Sequence, residues 1–273
     1  MTGSNPLDWY GTAFLVFYGL CFLGCHMLGH LIAAWLRPEG SPGMVEDPDE
    51  LAILSQQQEQ RMAESAVARM LDSGALVLEG KRIRRGSGSP RGALEARIAQ
   101  IGEEPYWRQI LRAAKEEGKA LRERMVMRGL LMTSADARSI GLAAAVPMFA
   151  LFVLGVAKSF VGSERDRPIG ILVFFLIVTA VFIAGRIFGT DRRTKAGKAA
   201  FKDARSRHAR LRIAPRGMET GTAVALFGTG VIATGPLGNF HRMRQSSGGD
   251  GSGGGSDGDG GGCGGGGCGG CGG

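Results

Sequence analysis

Three observations predict a mainly α-helical, multi-pass membrane protein with three spans. Two adjoining apolar runs lie between Ile140 and Ile187, a third precedes Arg37, and the chain ends in glycine-rich sequence that offers no core residues. Each run approaches the ~20 apolar residues a helix needs to cross a ~30 Å hydrocarbon core. Between the spans, residues rich in Arg, Lys, Glu and Gln at helical spacing predict a small winged-helix-like cytoplasmic domain, and the end predicts a disordered C-terminal tail. A mean hydropathy of +0.03 conceals this segregation. A chain of 273 residues with a net charge of +8 invites a nucleic-acid reading. In a membrane protein, Lys and Arg that hold loops on the cytoplasmic side produce the same excess.

The N-terminus, residues 1–10, carries no Lys or Arg and is expected outside. The first span, 11–36, exceeds a signal-peptide core in length and reads as uncleaved. Trp9, Tyr10 and Trp35 suit the two interfaces, and Arg37 then marks the inner end.

Residues 38–139 form the expected cytoplasmic domain. Asp47 is the predicted N-cap of a helix with Pro48 at its first position and Glu50 closing a capping box. A second helix places Ala63, Val67, Met70 and Leu71 on one face, and Gly74 ends it. LVLEGKRIRR predicts a hairpin turning at Glu79-Gly80. Ser89-Pro90 is expected to open another helix with Leu94, Ile98 and Ile101 inward. The helix carrying Trp107, Ile110 and Leu111 is expected to break at Gly118. MVMRGLLMT repeats the pattern of MLDSGALVL: apolar helix end, glycine, short apolar strand.

The second and third spans, 140–160 and 169–187, flank an external turn at 161–168. Arg124, Arg128 and Arg138 before the pair and Arg186, Arg192, Arg193, Lys195 and Lys198 at or after its end put both flanks inside. Pro147 predicts a bend, because it removes a backbone donor. The orientation is then N-terminus outside and C-terminus cytoplasmic, in a cell inner membrane. Residues 188–216 read as a basic juxtamembrane helix. Arg192, Arg193, Lys195, Lys198, Lys202 and Arg205 are its candidates for binding a lipid bilayer with anionic headgroups. Residues 217–244 read as a glycine-containing apolar linker. Residues 245–273 lack apolar side chains that offset the entropy of ordering.

An N-terminal span followed by a PDELAILS helix start, a helical middle leading to a two-span hairpin, AVALFG at 223–228 and a Gly/Cys-rich tail together resemble a family of bacterial membrane proteins of uncharacterised activity. That resemblance implies an inner-membrane setting and carries over no catalytic residue.

Two groups of residues have metal-ligand chemistry. Cys21, Cys25, His26 and His30 follow C-x3-C-H-x3-H, which stacks each i,i+4 pair on adjacent strips of one helix. Soft thiolates and imidazoles are metal or haem ligands, and ionisable groups inside a membrane are often functional. Cys263, Cys268 and Cys271 match three of four positions of a plant-type ferredoxin spacing, without the fourth cysteine. Gly228, Gly230 and Ala233 fit G-x-G-x-x-A, but Pro236 and Gly238 follow where a dinucleotide site needs a helix. The chain has no H-E-x-x-H, no G-x-S-x-G and no G-x4-G-K-[ST]. No cofactor is identified. In the winged-helix-like module, Arg61 and Arg69 are matched by Glu64 and Asp72, a nearly neutral face that disfavours nucleic acid. The expectation is a non-enzymatic interaction or scaffold component with a protein partner. The alternative is a metal- or haem-binding redox protein using the Cys and His residues named above.

Overall fold

The structure, a computed structural model, describes residues 11–55, 58–164, 170–213 and 215–247. The expected N-terminal segment 1–10, residues 165–168 of the expected turn, residue 169 of the expected third span and residues 248–273 of the tail lie outside the described residues.

Three helices are long and apolar enough to cross a membrane: α1 (Gly11–Leu36), α6 (Ser134–Glu164) and α7 (Gly170–Phe188). They pack as a bundle, with α6 against both α1 and α7. Its small core holds Phe14, Tyr18, Leu151 and Leu172. The buried Tyr18 and Thr179 hydroxyls lie 3.1 Å apart, a polar tie between α1 and α7. Leu20, Leu23, Leu31, Phe174 and Ile177 are exposed on the outside, as lipid-facing residues are. α6 starts six residues before the expected span. Thr133 caps it, with its hydroxyl accepting from the Asp136 amide at 3.1 Å and donating to the Asp136 carboxylate at 2.7 Å. Pro147 sits inside α6, which runs on through it.

The helical domain begins with α2 (Pro48–Leu54), capped by Asp47, whose carboxylate accepts from the Asp49 amide at 3.0 Å. Glu50 does not close a capping box. Both its oxygens take Arg128 at 2.7 Å, a charge-assisted contact that outcompetes a local backbone amide. α3 (Gln58–Asp72) follows, and Gly74 beyond it has φ 71°, as a helix-ending glycine should. Strands β1 (Leu76–Glu79) and β2 (Arg82–Arg85) pair antiparallel with Glu79 opposite Arg82, so Gly80 and Lys81 make the turn.

α4 (Ala93–Ala99) starts three residues after the expected Pro90, because Glu95 reaches back to accept from the Arg91 amide at 2.8 Å. α5 (Trp107–Met127) is unbroken at Gly118. There a Cβ would press on Ile53 and Met62, so the glycine lets α5 approach α2 and α3. The second apolar-glycine-strand pattern yields an isolated antiparallel bridge between Leu131 and Arg193.

The largest correction concerns residues 217–244. The expected linker folds into α9 (Thr220–Phe227), a 3-10 turn at Thr229–Ile232 and α10 (Gly238–Ser247). Val224, Ala225, Leu226, Ile232, Phe240 and Met243 are buried in the same core as Leu51, Ile53, Val67, Leu76 and Ile110. Ser65 donates to the Gly221 carbonyl at 2.8 Å, and Gly221 lets α9 lie on the Arg69 side chain. The AVALF stretch before Gly228 is therefore helix, not the strand a dinucleotide fold needs. α8 (Lys195–Arg207) joins this core through Ala200, Phe201 and Ala204.

Candidate functional site

Bundle and domain meet where the segment after α1, the turn after α5 and the start of α8 converge. Gly40 and Gly129 both have positive φ, at 73° and 71°, and they face each other so closely that a Cβ on either would strike the other segment. The buried Thr194 hydroxyl donates to the Gly129 carbonyl at 2.8 Å and accepts from the Gly197 amide at 3.0 Å, capping α8. The Lys195 and Ala196 amides bond to the Pro38 and Glu39 carbonyls at 3.0 and 2.8 Å.

Asp191 is the electrostatic centre of this junction. Its carboxylate accepts from Arg193 Nε at 3.0 Å, pairs with Lys198 Nζ at 3.4 Å and lies 3.6 Å from Arg37. Arg37 also donates to the backbone carbonyls of Asp191 and Arg193. Burial alone would raise the Asp191 carboxyl. The Arg193 hydrogen bonds and the Arg193 and Arg37 charges outweigh it and hold the group below the usual carboxylate range.

Above the junction, a cavity of about 530 Å³ opens between α1, α6 and α7. Its polar wall carries His26, His30, Arg186, Arg37, Asp191 and Lys198. Arg186 donates to the His26 carbonyl at 2.8 Å and lies against Gly29. The His26 and His30 Nε2 atoms are 3.2 Å apart. Phe182 packs edge-on to His26, with ring centroids 5.5 Å apart.

Of the predicted ligand residues, His26 and His30 come together, one helical turn apart. Cys21 and Cys25 instead pack on the apolar cluster around Phe14 and Tyr18. Among the described residues, no group of three or more His, Cys, Asp or Glu side chains converges as a metal site. Cys263, Cys268 and Cys271 lie outside the described residues.

Most of the predicted headgroup-binding cations are engaged within the protein. Arg192 reaches the Met132 carbonyl at 3.5 Å, and Arg193 holds Asp191 and the Leu54 carbonyl. Lys195 pairs with Glu39 at 2.6 Å and Lys198 with Asp191. Arg205 lies over the Phe201 and Phe227 rings. Lys202 is exposed. The run of basic residues is visible in the sequence, but the groups that meet it come from far away along the chain. Conversely, Arg186 counts in the sequence only among the cations that set sidedness, although an arginine inside the end of an otherwise uncharged span is itself a signal of a site.

A second cavity, of about 440 Å³, lies in the domain. Three of its charges satisfy one another: Arg69 pairs with Glu95 at 2.6 Å and Asp49 at 2.8 Å, and Arg69 also donates to Ser65 at 3.2 Å. Burial pushes the Asp49 carboxyl up despite the neighbouring Arg69.

No family model, curated protein or solved structure matches the chain. The functional reading therefore rests on the geometry.

Proposed function

We propose that this chain is a membrane-anchored, non-enzymatic interaction or scaffold protein that holds a helical platform at one membrane face and presents its Gly/Cys tail to a protein partner. One observation carries the reading. The domain core is assembled from α2–α5, before the α6–α7 pair, and from α8–α10, after it. Segments that share one core must lie on the same side of a bilayer, so α6 and α7 act as a hairpin anchor. The end of α1 is tied to the same junction through Arg37. The charge pattern supports placing this side in the cytoplasm, with the N-terminus outside, and the family resemblance supports a bacterial inner membrane.

The order α2, α3, β1–β2 hairpin supports a winged-helix-like reading of the module as a protein-contact unit. Arg84 of the hairpin is paired with Glu79 and Glu104, and Arg85 with the Ala99 carbonyl, which leaves fewer cations for phosphates.

Crosslinking through Cys263, Cys268 and Cys271 in native membranes tests the proposal. A discrete adduct of one partner is expected, lost when the three are changed to Ser. An adduct pattern unaffected by that change sinks the tail's role. Labelling of these cysteines in intact cells by an impermeant thiol reagent overturns the orientation.

A further inference from the structure

We propose that the cavity between α1, α6 and α7 binds the phosphate of an anionic membrane lipid from the leaflet on the side of the helical domain. The inference goes beyond the scaffold reading and stands independently of it.

Charge comes first. Arg37, Arg186 and Lys198 line the cavity with a single carboxylate, Asp191, which already meets Arg37, Arg193 and Lys198. Among the described residues, Arg186 has no carboxylate partner, only the His26 carbonyl. A guanidinium at the edge of the hydrocarbon is costly unless an anion meets it, and its fork of donors matches phosphate geometry. The same excess of cations disfavours a metal ion at the two histidines.

The imidazoles add a donor. His26 Nδ1 is buried with no hydrogen-bond partner. The 3.2 Å contact between the two Nε2 atoms needs one donor and one acceptor. Two neutral rings satisfy it when His30 Nε2–H donates to His26 Nε2. The His26 proton then resides on Nδ1, a buried donor left without an acceptor in the protein on a residue that lines the cavity, which a small ring movement would offer to an anion.

Position and shape favour a lipid over a soluble phosphate. Arg186 lies two residues from the end of α7, about 3 Å along the axis at ~1.5 Å per residue, near headgroup level. Val181 and Phe182 line the same cavity and are exposed on the bundle surface, an apolar wall beside which acyl chains lie. Basic pockets between spans on the cytoplasmic side are a recognised form of lipid headgroup site.

The full chain, purified in detergent and stripped of lipid, is offered phosphatidylglycerol, phosphatidylcholine or inorganic phosphate. Bound lipid is counted by native mass spectrometry, and thermal melting is followed in parallel. Phosphatidylglycerol is expected to be retained about tenfold over phosphatidylcholine, with the preference lost in Arg186→Gln and partly kept in Arg186→Lys. His26→Phe removes the Nδ1 donor while keeping a ring against Phe22 and Phe182, so it weakens retention without relying on the Arg186 variants to fold. Lys119→Glu, an exposed change on α5 outside the cavity, is expected to leave retention as it is. Equal retention of the two lipids, or a preference that survives both Arg186→Gln and His26→Phe, overturns the site. A shift produced by inorganic phosphate but not by phosphatidylglycerol overturns the lipid assignment.

Discussion

Asp191 shows how much a single carboxylate can organise. It receives Arg37 from the end of α1, Arg193 from its own turn and Lys198 from α8, so three segments share one charge. Asp191→Asn leaves those cations facing each other. We expect a loss of about 2 kcal/mol, less than the ~3–5 of a fully buried pair because the group keeps some solvent contact. The pH dependence follows from the depressed pKa. The stabilisation is complete above the unfolded value near ~3.9 and disappears as pH falls through the lower folded value. Melting curves of wild type and Asp191→Asn should therefore differ by a constant amount at neutral pH and converge in acid. A gap that widens in acid contradicts the assignment. The sequence showed Asp191 only as one of two acids, with Asp203, in the basic run 188–216, since Arg37 arrives from 154 residues away.

At the scale of elements, legibility followed the range of the forces that make each one. The long apolar helices α1, α6 and α7 were readable because a helix fit to cross a bilayer is a long continuous apolar run whatever its neighbours. α2, α3 and the β1–β2 hairpin were readable from Asp47, Gly74 and Gly80, which act locally. α9 was not. It is eight residues long and rich in small side chains, and only the face made by α2 and α3 gives Val224 and Leu226 somewhere to go. Gly118 misled for the same reason: its role is to admit Ile53 and Met62, which local propensity does not encode. Leu226→Ala should cost about 2–4 kcal/mol, as core truncations do. A chain ending after Ser247 should melt like the full protein, whereas one ending after Arg216 should lose the cooperative domain transition. Limited proteolysis that finds the shorter chain equally resistant would remove α9 and α10 from the core.

On the scale of the whole molecule, apolar surface is divided sharply. Val16, Leu20, Leu23, Met27, Leu31, Phe174, Ile177 and Val181 all lie open on the bundle, whereas the domain closes over its own apolar residues. A contiguous exposed band of this kind is soluble only in lipid or detergent. The protein should stay in the membrane pellet after alkaline extraction, and release into the supernatant would contradict the three-span reading. Bundle and domain share one joint of Gly40, Gly129, Thr194 and Asp191, so a change there is expected to disturb both.

The interleaved core also dictates an order of events during synthesis. When α5 leaves the ribosome, the face of α2 and α3 that receives α9 has nothing on it. All of α6 and α7 must then be made before Val224, Phe240 and Met243 can join that face. At about 5–20 residues per second that interval is on the order of ten seconds. For that time the half-built domain displays bare apolar surface, and a chain cut short anywhere in α6 or α7 is left with an unfinished core.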